Sequence, residues 1–288
     1  MWAALFLLRA LARREYRQLL SLGARLGDFA RRLPLPQRRV VRRNLALCFP
    51  ASTVEQRERI FKAHFREAGV TLGETALAWF ASRERLLSLA QFEGLAELDE
   101  QRRAGRGVIL LAAHFTTLEI GARFATAIRD VHAVYKPSKN DLLSEFFRRY
   151  RGAVSAGMIA SDDIRSMVRV LRGGGIVWYA PDQAFRGKGA QSVEFFGIDV
   201  ATNTATSRLA QLTGAAVMPY FVERLPGVEG YKVRIGPILA DFPSGDAVAD
   251  TRRHHLLIEQ EVRRLPAQYL WLHKRFKKIS VADPDVYR

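Results

Sequence analysis

Apolar and basic residues alternate through the first 33 positions at a spacing typical of amphipathic helix. Residues 2–8 (WAALFLL) begin this stretch, but a helix needs about 20 predominantly apolar residues to span a bilayer, so this run is too short to cross one. It also lacks the basic start and the cleavage site of a secretory signal, so export is not expected. The apolar set is Leu7, Leu8, Leu11, Leu19, Leu20, Leu22, Leu26, Phe29 and Leu33, and the basic set is Arg9, Arg13, Arg14, Arg17, Arg25, Arg31 and Arg32.

This amino-terminal pattern allows two interpretations. In the first, the helices lie in the interface of an anionic bilayer, with apolar side chains among the acyl chains and arginines near the phosphates. In the second, the leucines face a protein core and the arginines are solvated. The scarcity of acidic residues favours the first. We therefore predict a basic, membrane-associating helical region over residues 1–36 and a separate domain over residues 37–288.

Helical spacing continues through most of the first hundred residues. Pro34 and Pro36 separate the amino-terminal stretch from a second basic segment, which Pro50 ends. From Thr53 to Phe80 apolar residues again recur at helical intervals.

The pattern changes at Gly107, where short apolar runs begin to alternate with helical stretches. Residues 108–113 (VILLAA) form a continuous apolar run, which is typical of a strand buried on both faces of a sheet. The alternation predicts an α/β fold with a largely parallel central sheet flanked by helices. The other predicted strands are 131–135, 176–180, 216–222 and 231–235, and the predicted helices lie around 141–150, 162–172, 202–213 and 247–264.

Polar side chains follow the first of these buried strands. His114 ends the run, and Glu119 lies five positions later, beyond a turn and within the next predicted helix. Because ligands bind at the carboxyl ends of parallel strands, we expect Glu119 to fold back towards the imidazole. A neutral imidazole can take a proton from an alcohol, and a carboxylate at its second nitrogen fixes the tautomer. The alternative is a strand-end histidine bound to backbone and a glutamate that complements a helix dipole.

The composition of the chain limits which partners and which cellular compartment are expected. The chain has 45 Lys and Arg against 29 Asp and Glu, a formal charge of +16, so its partners are expected to be anionic. The single cysteine, Cys48, excludes an internal disulfide and a cysteine-based zinc site, and the cytoplasm is the default compartment. An acyl-enzyme route would need a nucleophile such as this thiol, but its apolar surroundings favour a buried structural role.

Several ordered blocks carry a family resemblance. Residues 114–119 (HFTTLE) match the H-x4-acid motif of the lysophospholipid acyltransferase superfamily, and the chain from about 40 to 278 resembles the branch containing the late acyltransferases (lauroyl/myristoyl) of lipid A biosynthesis. The further blocks are 43–50 (RNLALCFP), 135–137 (YKP), 178–183 (WYAPDQ), 195–197 (FFG), 202–204 (TNT), Gly214 and Ala215 with Pro219, and 269–277 (YLWLHKRFK).

The resemblance implies an activity for the domain over 37–288. It implies transfer of a fatty acyl chain from an acyl carrier protein thioester to a hydroxyl of a Kdo-bearing, phosphorylated lipid A precursor, by direct attack. It implies His114 as base and Glu119 as its partner, with no metal and no covalent cofactor. Further substrate-binding candidates are Asp182, Lys136, Arg165, Asn203, Thr204, Arg208 and His273. Each can also be interpreted as a turn residue, a helix cap or a solvated charge without a role in binding.

The resemblance also implies the cytoplasmic face of the inner membrane as the location. Many of these acyltransferases have a longer apolar amino-terminal segment, and here only residues 2–8 precede Arg9. We therefore expect interfacial attachment rather than a full transmembrane helix.

Two alternatives remain open. The nearest is a glycerophospholipid or glycolipid acyltransferase of the same superfamily that uses acyl-CoA. The other is a nonenzymatic basic protein that binds nucleic acid or a membrane. No nucleic-acid partner is expected, because the chain has neither zinc-finger spacing nor an RRM-like aromatic box. It also has no G-x-S-x-G motif of a serine hydrolase.

Overall fold

A mixed sheet with helices on both faces forms the centre of the protein, in a computed structural model that describes residues 2–137, 145, 149–187, 189–277 and 286–287. The strands are β1 (Ala90–Glu93), β2 (Val108–Leu111), β3 (Val131–Tyr135), β4 (Gly157–Ala160), β5 (Ile176–Tyr179), β6 (Gln191–Phe195), β7 (Ile198–Thr202), β8 (Ala216–Arg224) and β9 (Tyr231–Ile235). The helices are α1 (Trp2–Ala12), α2 (Tyr16–Arg32), α3 (Pro36–Cys48), α4 (Val54–Phe80), α5 (Arg83–Leu87), α6 (Leu95–Arg103), α7 (Leu118–Ile128), α8 (Ile164–Arg172), α9 (Ala205–Thr213) and α10 (Ala247–Arg264).

The sheet confirms the predicted α/β class. Seven strands lie in the order β1-β9-β8-β2-β5-β3-β4, and every neighbouring pair is parallel except β8 with β9. Strands β6 and β7 form a separate antiparallel hairpin. In the central pair, Leu111 of β2 lies opposite Tyr179 of β5, so the chain leaves both strands at the same edge.

Most predicted elements are present with small shifts in their ends. The runs 131–135 and 231–235 are strands as predicted, while β2 ends at Leu111, two residues before the end of its apolar run. The sequence prediction missed β1, β4 and the hairpin, because these strands are short and only partly buried. The helix predicted around 141–150 falls largely outside the described residues.

Two apolar layers cover the central strands. Leu110 and Trp178 face one side, where they pack with Phe124 of α7. Ile109 and Val177 face the other side and pack with the helices α8 and α9. Both strands are therefore buried on both faces, which explains their continuous apolar sequences.

The amino-terminal helices pack on the domain through glycines. At Gly23 of α2 an added Cβ atom would lie 2.5 Å from the Cα atom of Val70 in α4, and at Gly69 it would lie 2.8 Å from the Cα atom of Gly27. The two helix backbones are thus in direct contact, which only residues without a Cβ permit. Leu19 is buried at this crossing, as the core interpretation of the pattern predicts for that residue.

A neighbouring face of α2, which continues to Leu33 just after the helix, is apolar and exposed. Its stripe consists of Leu22, Leu26, Phe29 and Leu33, and Phe29 retains 60% of its accessible surface. Arg25 and Arg32 are exposed on the same helix. The buried face agrees with the core interpretation, and the interface interpretation stays a prediction for the exposed stripe. None of the helices in the described ranges combines the length and the apolar character that a membrane span needs.

Gly69→Ala is expected to loosen this crossing. Its Cβ atom would meet the backbone of α2, whereas the Cβ atom of Gly73→Ala, one turn further along α4, would meet the Leu19 side chain at 3.2 Å. Because backbone cannot move aside as a side chain can, Gly69→Ala should lower the free energy of unfolding by about 1–3 kcal/mol relative to Gly73→Ala. Chemical denaturation measures the difference. Equal stability of the two variants would contradict the described crossing.

Candidate active site

His114 lies where the chain leaves the central strand β2. The strand direction continues past its last residue, because the Ala112 amide donates to the Tyr179 carbonyl at 2.8 Å. A turn then leads into α7, which begins at Leu118. The histidine side chain keeps 17% of its accessible surface, so it is held by protein on most sides and still reaches solvent.

Asp182 is the carboxylate that binds this imidazole. It follows β5, the neighbour of β2, and its side chain is fully buried. Its Oδ1 atom lies 2.6 Å from His114 Nδ1, and its two oxygens accept the His114 backbone N–H at 3.1 and 3.0 Å. The Tyr269 hydroxyl donates to Oδ2 at 2.9 Å. Since a carboxylate only accepts, the neutral form of the ring carries its proton on Nδ1 and its lone pair on Nε2.

Asp182 is ionised although it is fully buried. Burial by itself would raise the pKa of Asp182, but the adjacent His114 and its hydrogen bonds hold that pKa well below its usual range. Burial lowers the pKa of both His254 and His273 to about 4, so these histidines are neutral at neutral pH. The carboxylate is therefore ionised and is balanced mainly by donors from His114.

Glu119 does not take the place that the sequence analysis gave it. Its carboxylate accepts from Arg151 Nε at 3.1 Å and from Trp79 Nε1 at 3.2 Å, and it forms an ion pair with the same arginine. The expected pairing of Glu119 with the imidazole is thus corrected to Asp182. The physical reason is topological: β5 lies beside β2, so a residue just beyond its end reaches Nδ1, whereas Glu119 points from the first turn of α7 towards α4.

The His114–Asp182 pair and the Glu119–Arg151 pair both adjoin one cavity of about 440 Å³. His114, Glu119 and Arg151 contribute polar groups to its wall. Much of the remaining surface is apolar, from Leu118, Ala122, Ala133, Val134, Met158 and Trp178. A smaller apolar space of about 30 Å³ between α4 and α7 shares five of these lining residues, which are Glu119, Ala122, Ala133, Arg151 and Met158. This combination is typical of a site that holds an apolar ligand with a few polar anchors.

The remaining candidates divide into three groups. Lys136 and Asn203 line the cavity. Thr204 and His273 are largely enclosed behind it, and each has a buried polar atom without a partner among the described residues, Oγ1 in the first and Nε2 in the second. Arg165 and Arg208 lie exposed on α8 and α9 and do not line the cavity.

Cys48 lies in the core and away from the cavity lining. Its side chain is buried, and burial, followed by the nearby Glu259 charge, raises the pKa of the thiol well above its usual value. A thiol in this state carries little thiolate, which is the reactive form. The geometry therefore agrees with a structural role for this cysteine.

Sequence reasoning did not identify Arg151, Trp79 or Tyr269 as parts of the site. Arg151 comes from a stretch that contains several arginines, and nothing in the sequence distinguishes the one that binds Glu119. Tyr269 belongs to the block 269–277, which the resemblance marked without assigning a task to the tyrosine.

Comparisons with known proteins give matches over nearly the whole chain. The family model described as bacterial lipid A biosynthesis acyltransferase matches residues 1–278. A lipid A biosynthesis palmitoleoyltransferase of Escherichia coli strain K12 is 34% identical over 287 residues, which cover 99% of this chain and 94% of that protein. A lauroyltransferase of the same strain is 30% identical over the same shares of the two chains, and a myristoyltransferase is 29% identical over 92% of this chain and 83% of that protein.

Asp182→Asn is expected to change the imidazole tautomer. The amide can turn its NH2 group towards Nδ1 and so favour the proton on Nε2, whereas the wild type keeps it on Nδ1. ¹⁵N shifts of labelled histidine distinguish the two forms. Glu119→Gln is the matched control, because its contacts are to Arg151 and Trp79, and it should leave the tautomer unchanged. A change in the Gln variant but not in the Asn variant would restore Glu119 as the partner.

Proposed function

The chain belongs to the bacterial lipid A biosynthesis acyltransferases and is an acyltransferase, and on that premise we propose its donor, acceptor and mechanism. The donor is the thioester of an acyl carrier protein, and the acceptor is a hydroxyl group of a Kdo-bearing lipid A precursor. The observation that carries this proposal is the His114–Asp182 pair at the wall of a largely apolar cavity.

The reaction is a direct acyl transfer between two bound substrates. The acceptor hydroxyl attacks the thioester carbon while Nε2 of His114 takes its proton. The carbon–sulfur bond then breaks, and the imidazolium returns the proton to the departing thiolate. Asp182 holds the ring in the required tautomer and stabilises the positive charge that forms on it. No step is assigned to Cys48, to a metal or to a covalent cofactor.

Glu119 acts in this proposal by holding Arg151. The ion pair between them lies on the cavity wall close to His114, and Trp79 donates a further hydrogen bond to the carboxylate. A guanidinium fixed in this way can stabilise negative charge on the thioester oxygen or on the acceptor. Glu119 would thus remain essential for activity without contacting the imidazole.

The apolar wall provides a place for the acyl chain. Ala122, Ala133 and Met158 line both the main cavity and the neighbouring smaller space, so apolar side chains extend away from His114. The carbonyl end of the chain would then lie at the polar wall and its methyl end between α4 and α7. Burial of the methylene groups supplies about 0.8 kcal/mol each towards binding.

The proposed substrates suit the charge of the protein. Both an acidic carrier protein and a phosphorylated acceptor are attracted by a net charge of +16. Lys136 lies on the cavity wall, where it can meet a phosphate. Acyl-CoA is also anionic, so charge alone does not distinguish the two donors, and a direct comparison of donors is part of the test.

The proposed location is the cytoplasmic face of the inner membrane, reached by interfacial attachment. The stripe of Leu22, Leu26, Phe29 and Leu33 is exposed on α2, and exposed arginines accompany it. A helix with apolar side chains on one face and arginines nearby is the arrangement that binds anionic bilayers. It would bring the protein to the surface in which its acceptor lies.

Product mass tests the proposed reaction. Purified protein with acyl carrier thioester and lipid A precursor should yield a product heavier by one acyl group, and acyl-CoA should be a poorer donor. His114→Ala should lower the rate by about 10² or more, because the general base is lost. Cys48→Ala should keep most activity, and so should His132→Ala, which removes a histidine that does not line the cavity. Full activity of His114→Ala would refute the mechanism, and near-total loss in a folded Cys48→Ala would support an acyl-enzyme route.

Vesicle binding tests the proposed attachment. The double variant Leu26→Gln, Phe29→Gln should bind vesicles containing phosphatidylglycerol at least about 10-fold more weakly, because two large side chains no longer enter the bilayer. Leu212→Gln, Val228→Gln is the matched control, since these residues are also about half exposed, at 54% and 53%, but lie outside the stripe. Sedimentation with vesicles measures both. Equal binding by the two double variants would contradict the attachment through α2.

A further inference from the structure

The block 269–277 begins with a segment that runs antiparallel to the chain at His114. The Thr116 amide donates to the Gln268 carbonyl at 2.7 Å, and the Leu270 amide donates to the His114 carbonyl at 2.9 Å. Between them, Phe115 and Tyr269 form an isolated antiparallel bridge. The backbone on both sides of the histidine is therefore fixed by this segment.

The segment is itself anchored at both ends. The Gln268 side chain exchanges two hydrogen bonds of 2.9 Å with the backbone of Arg224, at the end of β8. Beyond it, Asn44 of α3 donates to the carbonyls of Trp271 and His273 at 2.8 and 2.9 Å. Tyr269 thus sits between two points that are attached to the sheet and to a helix.

The Tyr269 side chain lies in a tight aromatic setting behind Asp182. Its ring meets Phe115 and Trp271 edge-on, at centroid distances of 5.4 and 4.8 Å. It retains only 2% of its accessible surface, and its hydroxyl donates to Asp182 Oδ2 at 2.9 Å. The ring has little freedom to turn, so the hydroxyl is presented to the carboxylate in one direction.

We propose that Tyr269 is a positioning residue for acyl transfer, and that its hydroxyl group holds the Asp182 carboxylate in the orientation that aims His114 at the substrates. The inference rests on the proposed function. Tyr269, the first residue of the block 269–277, orients Asp182 through its side chain. The backbone at the start of that block fixes the chain around His114.

Few donors reach the Asp182 carboxylate. Oδ1 receives the imidazole N–H, whereas Oδ2 receives only the His114 amide and the Tyr269 hydroxyl among the contacts of the described chain. A fully buried carboxylate that loses a donor is poorly compensated and can rotate. Burial, and then the Asp182 charge, raise the pKa of Tyr269 well above its usual value, so its hydroxyl keeps its proton and remains a donor.

Other charged and titratable groups also face Asp182. They are His273 and Arg275 from the carboxyl-terminal segment and His254 and His255 from α10. Burial lowers the pKa of each of these three histidines, so they are neutral at neutral pH. Arg275 is buried and donates to Thr202 at 2.9 Å and to the Ala201 carbonyl at 3.2 Å. Within the part of the chain that the structure describes, Tyr269 is therefore the side chain other than His114 that donates a hydrogen bond to the carboxylate.

Tyr269→Phe is the direct test, because it removes the hydroxyl and keeps the ring contacts. In steady-state transfer from acyl carrier thioester, kcat should fall roughly 10-fold while KM stays within about 2-fold, since the lost contact orients the base and does not touch substrate. The acidic limb of the kcat/KM profile should move to higher pH by roughly half a unit. A carboxylate with one donor fewer directs more negative charge at the imidazole and favours its protonated form.

Tyr220→Phe is the matched control. Its hydroxyl is also fully buried and donates at 2.8 Å, but to the carbonyl of Gly121. Both variants lose one buried hydrogen bond, so both should lose a similar amount of thermal stability, but only Tyr269→Phe should change kcat and the pH profile. In the Asp182→Asn background, Tyr269→Phe should cause little further loss, because the two residues act through the same contact.

The outcomes separate this inference from the function on which it rests. An inactive wild type would refute the proposed function. An active wild type that loses its activity in His114→Ala but keeps kcat and the pH profile in Tyr269→Phe would overturn this inference alone. A change in Tyr220→Phe equal to that in Tyr269→Phe would also overturn it, because the effect would then be a general loss of packing.

Discussion

A negative charge buried at the end of the central sheet is the constraint on which the rest of the site depends. Asp182 is fully buried, and it stays ionised because His114 supplies a ring N–H and a backbone N–H and Tyr269 supplies a hydroxyl. These donors exist only if β2 and β5 are neighbours in register and if the segment after Gln268 lies along the histidine. The charge in turn orients the His114 imidazole on the cavity wall. The pairing of β2 with β5 therefore determines both the packing of the sheet and the contact between His114 and Asp182.

Much of the architecture could be predicted from the sequence, since continuous apolar runs such as 108–113 identify strands that are buried on both faces. His114 could be predicted as a site residue because it directly follows such a strand. Its partner could not, because strand order is not encoded in spacing along the chain. Glu119 lies near in sequence, and the H-x4-acid motif favoured it, but Asp182 reaches the ring only because β5 pairs with β2. Contacts that depend on sheet order escape any argument made from one sequence.

The amino-terminal helices show why a single interpretation of an amphipathic pattern can be incomplete. Leu19 and the glycines of α2 pack against α4, while Phe29 and its stripe face outward on the same helix. One face of α2 therefore contributes to the core, while the neighbouring apolar face remains exposed. The close contact at Gly69 also means that any force on α2 is transmitted to α4, the helix that carries Trp79 near Glu119.

The antiparallel contact between Tyr269 and the residues after His114 has a consequence for how the protein is made. The groups that meet at Asp182 are separated by 68 and 87 positions along the chain. A ribosome must therefore synthesise and release almost the entire described polypeptide before the last donor can arrive. Until then the Asp182 carboxylate lacks the hydroxyl donor that it has in the folded protein. The hydrogen-bonded site is therefore complete only after Tyr269 has been synthesised.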